Sequence, residues 1–296
     1  MSFTLLLAVL LSAPPGEAAY NARVQEVLKR DAAGDFTGAM ALCRTILKER
    51  PHDKAAVLML ATELQVSKAQ PAEQIEFIEG ELASKTPQLP ELYTFLGRAY
   101  GMKGELAKGE TAFRKGIELL PENGELQYQL GVNLKKQKRP EEAGAAFQRA
   151  AQLKPDWSLG WEAAARSLET NGKPLEALMA RARMVLVETD AAIAKEASQS
   201  LVPLLTKSGA APRDTKSSEG AFFVSAFGSL VQSAAETKDQ PFLRDAASLF
   251  VEAKAKGLLE GVSWRIRVVA GDPEASAWFK AHADQQKKLD AFLARR

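Results

Sequence analysis

Residues 90–121 read PELYTFLGRAYGMKGELAKGETAFRKGIELLP, and residues 124–155 read GELQYQLGVNLKKQKRPEEAGAAFQRAAQLKP. Laid over one another with a shift of 34 residues, the two lines repeat a single plan. In the first, Tyr93, Leu96, Gly97 and Tyr100 recur at the spacing of one helix face. A second stripe, Leu106, Phe113, Ile117 and Leu120, follows the turn Lys103-Gly104-Glu105. In the second line Leu130, Gly131 and Leu134 precede Ala143, Phe147 and Ala150. Each line closes on a proline, Pro121 or Pro155. Two apolar stripes joined by a glycine turn fold back as a helical hairpin, with Gly97 and Gly116 allowing close backbone approach. Such a hairpin cannot bury its outer face alone, so neighbours must stack.

The plan extends in both directions. Upstream, Val24, Val27 and Leu28 form a first stripe, and Asp31-Ala32-Ala33-Gly34-Asp35 makes the turn. Phe36, Ala39, Leu42, Cys43, Ile46 and Leu47 form a second stripe that ends at Pro51. The next unit, about Asp53 to Pro87, is degenerate. Val57, Leu60, Ala61 and Leu64 serve as its first helix, Ile75, Ile78 and Leu82 as its second, and Pro71 sits in a longer turn between them. The closing prolines check the register: Pro51 to Pro87 is 36 residues, and the next two intervals are both 34. One two-residue insertion accounts for the difference. Downstream, Trp161, Leu168, the turn Asn171-Gly172-Lys173-Pro174 and Ala177 keep the pattern. Arg181 then stands at the Phe position and Thr189 at the proline position.

These residues resemble the tetratricopeptide repeat, whose pattern runs aromatic, Leu-Gly, Tyr, Ala-x3-Phe and Pro. The resemblance implies an all-α fold, a right-handed superhelical array of antiparallel helical hairpins (a TPR-like solenoid), over residues 19–207. A capping helix from Ala191 to Lys207, kinked at Pro203, would close it. Residues 208–218 read as a polar linker, and 219–296 as further C-terminal helices that echo the repeat. There Phe223, Phe227, Leu230 and Val231 make one face and Phe242, Ala246, Leu249, Phe250 and Ala253 another. Asp272-Pro273 opens a last helix carrying Trp278, Phe279, Leu289 and Phe292.

The resemblance also implies where a partner would bind. In the family the first helix of each hairpin lines the concave side. With the packing stripe turned inward, Glu91, Thr94, Arg98 and Gly101 share another face. The corresponding sets are Glu125, Tyr128, Val132 and Lys135, then Leu159, Glu162, Arg166 and Glu169. The candidate partner-binding residues are therefore Thr94, Arg98, Tyr128, Lys135, Glu162 and Arg166. The family's clamp for chaperone C-terminal carboxylates needs asparagine and lysine on these faces. Val132 and Arg98 occupy the asparagine-type positions, so that clamp is not expected. Mixed charge around Tyr128 favours an extended peptide or protein segment carrying both signs.

Composition narrows the chemistry. A net charge of +2 gives no reason to expect nucleic acid as partner. Two histidines and one cysteine leave little material for a metal site or imidazole catalysis, and no phosphate loop, zinc spacing or nucleophile elbow occurs. His52 reads as a loop residue, and His282 as a residue on the polar side of the last helix. Glu141-Glu142 and Glu73/Glu76 fall at helix starts, where negative charge suits the dipole. The basic run Lys135 to Arg139 is assigned to a solvated turn. The sequence thus gives no catalytic residue, no cofactor and no metal. It points to a non-enzymatic interaction scaffold, with envelope assembly as its setting if the chain is exported. The alternatives are a frame for a ligand-binding or catalytic domain at 219–296, and a purely structural homo-oligomer.

Residues 3–11 are an apolar run, too short to span a membrane, followed by small residues at Gly16 and Ala18. No Lys or Arg precedes the run and no cysteine follows it, which excludes lipid attachment there. The run predicts a signal peptide at 1–18, no transmembrane segment in the mature chain, and a periplasmic or secreted location; a cytoplasmic one is the alternative. N-terminal sequencing of the native protein is expected to begin at Ala19. A native chain that begins at Met1 or Ser2 contradicts export.

Overall fold

Helix boundaries follow the sequence punctuation. In the computed structural model, residues 18–67, 70–84, 89–188, 190–199, 201, 204, 227, 231, 241–269 and 273–293 are described. Asp35, Asp53 and Asn123 cap the helices that follow them, each side chain accepting from the backbone N–H three residues on at 2.9, 3.0 and 3.2 Å. Pro140 and Pro174 occupy the first helical position, where a missing N–H costs nothing. Gly104 stops a helix in the left-handed region, φ 84°, which a side chain would disfavour.

The chain forms two compact units that divide after Gln137. The N-terminal unit holds α1 (Ala18–Ala32), α2 (Phe36–Glu49), α3 (Lys54–Val66), α4 (Pro71–Ala83), α5 (Leu92–Lys103), α6 (Leu106–Leu119) and α7 (Gly124–Lys136). Each helix packs against the next, and the first helices also pack side by side, α3 on α5 and α5 on α7. The C-terminal unit holds α8 (Pro140–Leu153), α9 (Ser158–Thr170), α10 (Pro174–Val187), α11 (Ala191–Gln199), α12 (Pro241–Ala255), α13 (Leu259–Val269), α14 (Pro273–Ala281) and α15 (Ala283–Leu293). Here α12 docks on α8 and α10, and α13 on α10, α11 and α12. The described residues contain no strand. The fold is all-α, built of consecutive helical hairpins as the repeat requires.

The packing stripes are where the periodicity puts them. Leu96, Tyr100, Phe113, Leu130 and Phe147 are all buried. A Cβ on Gly97 would lie 2.5 Å from a Phe113 ring carbon, so the missing side chain is what seats the ring. Cys43 is fully buried among Val24, Ala39, Ile46 and Leu64.

Three expectations are corrected. Pro71 is the first residue of α4 rather than part of the turn before it, because its fixed φ suits a helix start. Lys135 and Lys136 end α7, so only the rest of the basic run lies in the turn; Lys138 there takes φ 62°. The expected last helix is two helices broken at His282. The His282 ring stacks on Trp278 at 4.3 Å, and its Nδ1 lies 2.8 Å from the Trp278 carbonyl, placing the imidazole over the break. Residues 1–17, Thr189, Pro203, Phe223, Leu230 and the linker 208–218 lie outside the described residues.

Phe147→Ala is expected to cost about 3–5 kcal/mol in chemical denaturation, because α8 and its neighbours cannot collapse into a space that large. A loss below about 1 kcal/mol contradicts the packing.

Candidate functional site

The expected binding residues fall on first helices of both units. In the N-terminal unit, Thr94 and Arg98 lie on α5, and Tyr128 and Lys135 on α7. Thr94 and Tyr128 are half-buried; Arg98 and Lys135 are exposed. Burial, and then the Glu125 carboxylate, push the Tyr128 phenol above its ordinary range. Arg98 reaches back to α3. With the Gln65 amide oriented to accept, its oxygen lies 2.5–3.0 Å from the three guanidinium nitrogens. Neither Arg98 nor Lys135 has a carboxylate partner among the described residues.

Two exposed apolar side chains lie on the same two helices, α3 and α5. Met102, one turn after Arg98 on α5, is 50% exposed, and Val66, next to Gln65 at the end of α3, is 47% exposed. Exposed apolar side chains of this size recur at the ends of adjacent first helices. The sequence reading placed Gly101 rather than Met102 on this face and did not single out Gln65 or Val66. The closing-proline register could have found the pair, since Val66 and Met102 each fall fifteen residues past a closing proline, Pro51 and Pro87.

The C-terminal unit uses its charges differently. Glu162 and Glu169 lie two turns apart on α9. Both bind Arg181 of α10, Glu162 at 2.5 Å from Nη1 and Glu169 through Nη2. Arg166 also bonds Glu162 through Nε. The Arg181 side chain is 8% exposed, at the position where the repeat puts phenylalanine. It can be there because α10 is enclosed by α9, α11, α12 and α13, and two carboxylates from α9 meet the buried guanidinium. Arg183, also on α10, stacks over the Trp161 ring at 5.1 Å. Glu162 and Arg166 are therefore members of a packing network.

No group of three His, Cys, Asp or Glu residues that could hold a metal ion occurs among the described residues. His52 pairs with Glu81 at 2.9 Å and His282 with Trp278. No helix among the described residues is long and apolar enough to cross a membrane. Arg181→Ala, which strands two carboxylates, is expected to cost about 3–5 kcal/mol. Arg166→Ala, at a guanidinium 68% exposed, is expected to cost about 1 kcal/mol or less in the same urea titration. Equal losses contradict the network.

Comparison with known proteins agrees with this geometry. Residues 90–123 and 124–156 each match the tetratricopeptide repeat family. No curated protein matches the chain in sequence. Among solved structures, PilF of Pseudomonas aeruginosa covers 81% of this chain and 98% of its own at a TM-score of 0.54 and 15% identity, a likeness of fold alone. A MamA structure, 22% identical over 62% of this chain and 94% of its own, has a TM-score of 0.46. Residues 90–156 are tandem tetratricopeptide repeats, set in a chain of helical hairpins of the same kind.

Proposed function

We infer that this protein is a non-enzymatic scaffold that holds a protein or peptide partner on the first helices of its N-terminal unit. The observation that carries the reading is the contrast in charge. Arg98 and Lys135 present cations with no carboxylate partner among the described residues, whereas Glu162 and Arg166 are taken up by Arg181 and by each other. Cations without a carboxylate partner, on helices that also carry the exposed Val66 and Met102 and the half-buried Tyr128, suit an extended segment that supplies a carboxylate and an apolar side chain. Thr94, one turn before Arg98, adds a hydroxyl to the same face.

The apolar run at residues 3–11 supports an exported protein, and with it a partner in the bacterial envelope. Tetratricopeptide repeats as a fold serve protein binding, and the repeats here support that role without naming the partner. Homo-oligomers are compatible with such a scaffold and would be seen as a second copy in a crosslinked complex.

Partner capture from the native compartment by crosslinking, compared across variants, tests the reading. Arg98→Ala and Tyr128→Ala are each expected to weaken the captured interaction by about 1–2 kcal/mol, roughly 5- to 30-fold, with little change in melting temperature. Arg166→Ala is expected to bind as wild type. Normal binding by both N-terminal variants, with loss on substitution in α12–α15, contradicts the assignment.

A further inference from the structure

Glu63 is a carboxylic acid in a place built for an apolar or neutral side chain. It sits on α3, is 3% exposed, and its Oε2 is buried without a hydrogen-bond partner. Other repeats show what this position otherwise holds. Glu63, Ala99 and Asn133 each lie twelve residues past a closing proline, Pro51, Pro87 and Pro121. Ala99 is fully buried and has nothing to satisfy. Asn133, 3% exposed, is neutral and accepts from Gln137, which in turn donates to Glu110. Glu63 has the burial of both and the partners of neither.

Among the described residues no cation of the surrounding helices pairs with it: on α1, Arg30 is turned to Glu26 and Asp35. From α1 comes Asp31, itself an acid, and from α2 comes the buried Cys43 thiol. Arg44 of α2 is turned to Glu73 of α4 at 2.6 Å, on the exposed side. From α4 comes Gln74, a neutral amide that donates to the Leu64 carbonyl at 3.1 Å. On α5, Arg98 is engaged by Gln65. An ionised carboxylate here would be desolvated without compensation, which a protein avoids by keeping the group protonated or by opening the packing.

We propose that Glu63 is a proton-controlled latch on the α1–α3 packing: protonated, it stays buried against α2, and ionised, it forces this turn of α3 open. Burial, and then the Asp31 carboxylate, push its carboxyl up to about 7 from 4.5. The same buried charge would add to the effect of burial on Cys43, whose thiol is pushed up to about 12. An acid whose folded-state pKa lies above its unfolded value contributes stability that is complete below the unfolded pKa, about 4.5, and lost as pH rises through about 7. The latch lies within one turn of Gln65 and Val66, so its opening would also disturb the Arg98 surface. That consequence rests on the functional reading above, whereas the latch itself does not.

Amide hydrogen exchange and thermal melting of the full chain, in wild type and Glu63→Gln, separate the two. Below about pH 5 the pair are expected to melt together. Between pH 5 and 7 the opening constant of α2–α3, corrected for intrinsic exchange, is expected to rise by up to about tenfold per pH unit more in wild type than in the variant. At pH 8.5 Glu63→Gln is expected to be the more stable. If the glutamine variant folds poorly, Glu63→Met fills the site and is expected to show the same loss of pH dependence. Parallel wild-type and variant curves from pH 4.5 to 8.5 overturn the proposal. So does a Glu63 carboxyl signal in carbon-13 NMR that titrates at the ordinary glutamate value. Opening of α2–α3 at high pH with partner binding unchanged would overturn the binding reading and leave the latch standing.

Discussion

The seating of the Phe113 ring into the gap left by Gly97 is the contact the α5–α6 hairpin depends on. The Phe113 ring occupies the space a Gly97 side chain would need, and at 2% exposure it is wholly enclosed. That contact fixes how closely α5 and α6 approach, which in turn sets where Leu96, Tyr100 and Ala112 meet α3 and α4 in one core cluster. Close packing of this kind transmits position: a helix face opposite the aromatic stripe is held in a defined place without contributing to the core. Arg98 and Tyr128 owe their presentation to residues on the far side of their own helices.

Polar residues that intrude on those stripes have two different outcomes. Arg181 replaces an aromatic, and α9 supplies two carboxylates to meet it. Such a network exchanges hydrophobic burial for a geometry that only one arrangement of α9 and α10 satisfies. Glu63 intrudes on the N-terminal unit, and among the described residues its Oε2 finds no partner. The first makes its unit specific; the second makes its unit responsive to protons. Both follow from one rule, that a buried charge must be paired, neutralised or expelled.

The fold was legible because the repeat states its period twice and its closing prolines confirm the register. Leu96, Phe113, Leu130 and Phe147 could be assigned to the core from spacing alone. Boundaries were less legible where one residue serves two purposes. Pro71 fits a turn or a helix start equally well in sequence, and the structure uses it as the start. Stacking of His282 on Trp278 is an i,i+4 contact that fits a continuous helix as well as a broken one, so spacing alone does not reveal the break. For the candidate face, spacing assigns residues to first helices but does not encode the state of their charges. Glu162 looks available until Arg181, nineteen residues beyond it, folds back onto its carboxylate, which Arg166 also bonds. Val66 and Met102 were missed because they belong to neither the packing stripe nor the charged set.

The central claim is that the partner sits on the first helices of the N-terminal unit. Hydrogen-exchange protection of the complete chain on binding its native partner tests it most directly. The account predicts new protection at residues 62–66, 94–103 and 128–136, with residues 241–293 unchanged. Protection concentrated in residues 241–293, with α3, α5 and α7 exchanging as in the free protein, would contradict it.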